Sequence, residues 1–88
     1  MADRLARVAE MVARGLRYVH DGDCGRAANM LGGASFQLGL ECGRRDDRAC
    51  FGLAQDRDPD VSAAFEATTK LNAAIMDGPC AARPRRRR

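Results

Sequence analysis

Five apolar residues, Leu5, Val8, Val12, Leu16 and Val19, recur at steps of three and four near the start of the chain. That interval follows the 3.6-residue turn of an α-helix and puts all five on one stripe, where a strand would need strict alternation. The pattern predicts a helix over about residues 3–20. Asp3, Arg7, Glu10, Arg14 and Arg17 fall on the opposite face, and Met11 and Tyr18 form a narrower stripe beside the main one.

The three residues Asp21, Gly22 and Asp23 then carry a stop and a start. Gly22 suits the left-handed position just past a helix end, and Asp23 suits the cap of the next helix. A second, antiparallel helix is expected over about 24–42. It aligns Cys24, Ala27, Leu31, Ala34, Leu38 and Cys42 on one face, with Phe36 and Leu40 pointing roughly the other way. Gly25, Gly32, Gly33 and Gly39 lie inside it, each costing about 1 kcal/mol relative to alanine. Close approach of a neighbouring helix is the expected compensation, against a break at Gly32 and Gly33. Gly43 is expected to end the helix.

The connection that follows is polar except for Cys50, Phe51 and Leu53, an island expected to fold back as a short plug for the core. Asp58 and Pro59 form a start signal, a capping carboxylate followed by a proline at the first helical position. A third helix is expected over about 59–77. It buries Val61, Ala64, Phe65, Thr68, Leu71 and Ile75 and stops at Gly78 and Pro79.

A chain of 88 residues holds one domain with a modest core. The expectation is an all-α domain over 1–79, a helical hairpin plus a third helix, followed by a disordered arginine-rich tail over 80–88. The formal charge of +3 misrepresents the body. Without the five tail arginines, Arg83, Arg85, Arg86, Arg87 and Arg88, ten of the fifteen basic residues remain against twelve acidic ones, a net of −2. Fourteen arginines against one lysine suggest a GC-rich coding sequence of bacterial or phage type. Apolar runs are far shorter than the roughly 20 residues that span a bilayer, and no apolar signal core opens the chain. Membrane contact is therefore not expected, and a cytoplasmic location is.

The first two helices resemble the tetratricopeptide repeat, whose 34-residue unit is a helical hairpin with the pattern W-x2-L-G-x2-Y, A-x3-F, alanine and proline. Over about residues 8–41, Met11 stands at the tryptophan position, Gly15 at the glycine and Tyr18 at the tyrosine. Ala27 and Leu31 occupy the alanine and aromatic positions, Ala34 the second alanine, and Gly22 with Asp23 the turn. Arg14 stands where the family has leucine and Gly39 where it has proline. The resemblance implies that the first helix lines a concave groove at Ala9, Val12, Leu16, Val19 and His20. One such hairpin does not bury its apolar faces alone. The groove is therefore expected to take an apolar helix of a partner or a second copy of the chain, unless the third helix fills it and closes a three-helix bundle. Met11, Tyr18, Phe36 and Leu40 form a candidate second interface.

The four cysteines, Cys24, Cys42, Cys50 and Cys80, include no C-x-x-C pair, so the spacings argue against a knuckle-type zinc site. With a reducing compartment expected, Cys24 and Cys42 read as buried free thiols, and Cys50 and Cys80 as the ones able to react or pair. His20, the single histidine, sits at a helix C-terminus, where a cationic ring is favoured. No nucleophile with a base, phosphate-binding glycine loop or carboxylate pair stands out, so neither enzymatic activity nor a cofactor is expected. The function expected is that of a small adaptor or chaperone, dimeric or paired with another protein. The alternatives are a nucleic-acid-associated protein using the tail for salt-dependent phosphate contacts, and a thiol-based metal or redox protein.

Overall fold

In the computed structural model, which describes residues 3–81, the chain is all-α: α1 (Arg4–His20), α2 (Cys24–Arg45), the single-turn α3 (Arg48–Phe51) and α4 (Pro59–Asp77). A 3-10 turn, Ala54–Asp56, stands between α3 and α4. The third helix expected from sequence is α4. Asp3 caps α1 by accepting from the Leu5 amide at 3.2 Å, satisfying one of the donors a helix start leaves open. The Asp21–Asp23 turn forms as its residues dictate. Gly22 takes φ 81°, the Asp23 amide donates to Tyr18 O at 2.8 Å, and the Asp23 carboxylate accepts from the Arg26 amide at 3.1 Å.

α2 forms the centre of the molecule, with α1 along one side and α4 along another, and α1 and α4 touch one another at few places. Its buried stripe of Ala27, Leu31, Ala34, Leu38 and Cys42 is the one the spacing predicts, joined by Val8 of α1 and by Val61, Thr68 and Ile75 of α4. Leu31, Leu38 and Val61 are fully buried, each contributing about 1.5–3 kcal/mol of transfer free energy.

α1 and α2 pack tightly at Gly15, where an added Cβ would lie 3.0 Å from Leu31 Cγ and 3.4 Å from Met30 Cβ. Of the five glycines inside α2, Gly33 alone lies beneath a neighbouring helix, since a Cβ there would meet Met11 Cε at 2.6 Å. Gly32, Gly39 and Gly43 face open space and α2 runs unbroken through Gly32 and Gly33, so close packing accounts for one glycine of the five.

Three local expectations are corrected. α2 does not end at Gly43 but continues to Arg45, because Arg44 and Arg45 bond Glu41 one turn back, which requires helical backbone between them. Asp58 does not cap α4 with its side chain; its carboxylate pairs with Arg45 at 3.2 Å, and Pro59 starts the helix alone. The island at 50–53 plugs the core only through Cys50, with Ala49 just before it, while Phe51 and Leu53 are 61% and 66% exposed.

The largest correction concerns the cysteines, none of which is free. Cys24 bonds Cys80 and Cys42 bonds Cys50. Sequence spacing did not show the pairs because antiparallel packing creates them: α4 returns alongside α2 and brings Cys80, just beyond its end, to the start of α2. The turn after α2 in the same way brings Cys50 back beneath Cys42. Cys24 is accordingly half-buried and bridged, not a thiol packed as a small hydrophobe.

Candidate functional site

Along the apolar stripe of α1, the structure divides the residues expected to line a groove. Val12 packs against the core and Val19 is half-buried, whereas Leu16 is 42% exposed and Ala9 and His20 are exposed. The face is thus partly covered, and Leu16 is its large accessible apolar side chain. The expected second interface divides likewise. Met11 rests over Gly33 against the core and Tyr18 is half-buried with the Arg26 guanidinium 6.0 Å from its ring, while Phe36 and Leu40 stand out from α2 at 65% and 44% exposure. Arg83, Arg85, Arg86, Arg87 and Arg88 lie outside the described residues.

A third apolar surface was not legible in the sequence. α3 and α4 enclose an open cleft of about 580 Å³, whose apolar walls include Phe51, Pro59, Ala63 and Phe65. Phe51 and Phe65 meet edge to face with ring centroids 5.4 Å apart, a favoured aromatic geometry. Arg57, Glu66 and Lys70 border the cleft. The Phe51 wall is held by bonds at both flanks: Cys50 to Cys42, the Asp58 amide to Ala49 O at 2.9 Å, and Arg57 Nε to Gly52 O at 2.7 Å. The available signal was Phe51 beside Cys50, with Phe65 on a helix that had to return past them, but it becomes readable only once the Cys42–Cys50 pairing is known.

Next to this end of the bundle lies a charge cluster that the spacing E-x-x-R-R at 41–45 encodes. Glu41 is only 4% exposed; its carboxylate accepts from Arg44 and from Arg45 Nε at 2.7 Å, and it forms an ion pair with Arg4 Nε at 3.2 Å. Arg4 also donates to Gln37 Oε1 at 2.9 Å, and Arg45 reaches Asp60 at 2.9 Å and Asp58 at 3.2 Å. Hydrogen bonds from Arg44 and then Arg45 hold the Glu41 carboxyl down at about 2, outweighing the desolvation that would raise it. Arg45 in turn lowers Asp60 and is itself raised by Asp60 and Glu41. Every charge in the cluster is matched, and the cluster joins the starts of α1 and α4 to the end of α2.

Among the described residues no three His, Cys, Asp or Glu side chains gather as metal ligands, and no helix is long and apolar enough to cross a membrane. No protein-family model, curated protein or solved structure matches the chain.

Proposed function

We propose that the protein is a small interaction module, an adaptor or chaperone that buries an apolar helix of a partner or a second copy of itself, acting by binding and not by chemistry. The observation that carries this reading is the exposure of five large apolar side chains, Leu16, Phe36, Leu40, Phe51 and Leu53, at 42–66% on so small a domain. Scattered apolar residues are ordinary on a surface, but paired ones on the same element, such as Phe36 and Leu40 one turn apart on α2, mark association faces. The tetratricopeptide-like register of α1 and α2, with Gly15 at the close crossing, adds support, since a lone hairpin of that kind associates through its groove. The two bridges favour an oxidising compartment over the cytoplasm, because reducing compartments keep such thiols open.

The test is the solution mass by light scattering over a concentration series, for the oxidised wild-type chain and for Leu16→Asp and Phe36→Asp. Both substituted positions are exposed, so helicity by circular dichroism should be retained while the mass falls to that of the monomer. A wild-type chain that stays monomeric and binds no partner protein would refute the reading, and unfolding of Leu16→Asp would make that face core.

A further inference from the structure

The α3–α4 cleft carries an inference separate from protein association, because its charge is uncompensated in one place only. Its lining is mainly apolar, with Phe51 and Phe65 in edge-to-face contact and Pro59 and Ala63 continuing along α4, beside the hydroxyl-bearing Ser62 and Thr69. Its one carboxylate, Glu66, is 3.5 Å from Lys70, so these two offset one another. Arg57 has no carboxylate within ion-pair distance among the described residues, and its Nε bond to the Gly52 carbonyl fixes the side chain while neutralising no charge. A cleft of about 580 Å³ lies in the size range of small-molecule sites, which combine apolar walls with a few placed polar groups.

We propose that this cleft binds an amphiphilic anion, an aliphatic chain with a carboxylate head, its chain against Phe51 and Phe65 and its head at Arg57. The Cys42–Cys50 bridge is the device that builds the site. A helix of four residues has no stability of its own. α3 therefore holds Phe51 in the wall because Cys50 is tied to α2, with the Asp58 and Arg57 bonds to Ala49 and Gly52 as lesser supports, so the site forms when the chain is oxidised and loosens when that bridge is opened. The other bridge, Cys24–Cys80, ties the far end of α4 and plays no part in the wall.

The experiment uses the full oxidised chain and sodium decanoate kept below its micelle-forming concentration, read by nuclear magnetic resonance at assigned amide and aromatic positions. Saturable shifts are expected at Phe51, Ala63 and Phe65. Phe51→Ser, a change at an exposed position that should leave the fold intact, should weaken binding by about tenfold or more from lost apolar contact. Arg57→Gln should weaken decanoate by about threefold to tenfold while leaving decanol unchanged, which a merely structural role would not do. The Cys42→Ser/Cys50→Ser chain should stay helical and lose the site, and the Cys24→Ser/Cys80→Ser chain should keep it. The proposal fails if shifts do not saturate or fall elsewhere, at Leu16 or Phe36 for example. Equal weakening of decanol and decanoate by Arg57→Gln removes the anion anchor, and wild-type affinity without Cys42–Cys50 removes the role of the bridge.

Discussion

The two ends of α2 are fastened by different means. At its start, Cys24–Cys80 is the long link, 56 residues apart in sequence, and the surrounding ion pairing is sparse, with Arg26 and Asp23 at 3.5 Å on the surface. At its other end Cys42–Cys50 spans 8 residues and sits beside Glu41, Arg4, Arg44, Arg45, Asp58 and Asp60 in one connected cluster. The long link restricts the unfolded chain over most of its length and so acts mainly on global stability. The short link restricts the unfolded chain less and also acts on local shape, holding a turn that could not hold itself. Stability and site construction are thus divided between the two ends.

Opening one bridge at a time separates these roles. Replacing Cys24 and Cys80 by serine should cost about 4 kcal/mol from the loop-entropy relation, against about 2.5 kcal/mol for Cys42 and Cys50. Denaturant unfolding of the two double variants measures both. An equal or reversed order would mean that the short bridge carries the global fold and would break the comparison.

Acid should loosen only the Glu41 end. The Glu41 carboxyl is depressed in the folded chain to about 2 from 4.5, so the stability it contributes is present in full above about pH 4.5 and is lost as pH falls towards 2. Asp60, lowered by Arg45, adds to the loss with the same sign. Amide hydrogen exchange across this range should accelerate in α3 and in the first turn of α4 before it does at the Asp21–Asp23 turn. Uniform acceleration would place the acid-sensitive group elsewhere.

The smallest effect sharpens the account of α2. Gly39 faces open space in a helix interior, so Gly39→Ala should stabilise by up to about 1 kcal/mol. Gly15→Ala should destabilise, since its Cβ would lie 3.0 Å from Leu31 Cγ and Leu31 is fully buried with little room to shift. Thermal unfolding of both variants gives opposite signs if the crossing is placed correctly.

Helices were legible because each rests on local periodicity with a stop or a start signal: Leu5 to Val19, the Gly22–Asp23 turn, Asp58 and Pro59. Their packing was less so. Gly43 reads as a helix end in isolation, and only the reach of Arg44 and Arg45 back to a buried Glu41 carries α2 past it. The cysteines were misread because a bridge is a property of three-dimensional proximity, and Cys24 with Cys80 meet only after α4 has folded back along α2. The α3–α4 cleft follows from the other pairing, Cys42 with Cys50. It was hidden for the same reason, although Phe51, Arg57 and Phe65 stand in plain view in the sequence. The accessible apolar residues Leu16, Phe36 and Leu40 were visible in advance, while the covering of Val12 and Val19 depended on neighbours that periodicity does not identify.

The division of labour between the ends rests on which cysteines are joined. Peptide mapping by mass spectrometry of the chain, digested without reduction and with free thiols blocked at acid pH, tests this directly. The account predicts linked peptides joining Cys24 to Cys80 and Cys42 to Cys50, and no blocked thiol. Free thiols throughout, or links joining Cys24 to Cys42 or Cys50 to Cys80, would contradict it.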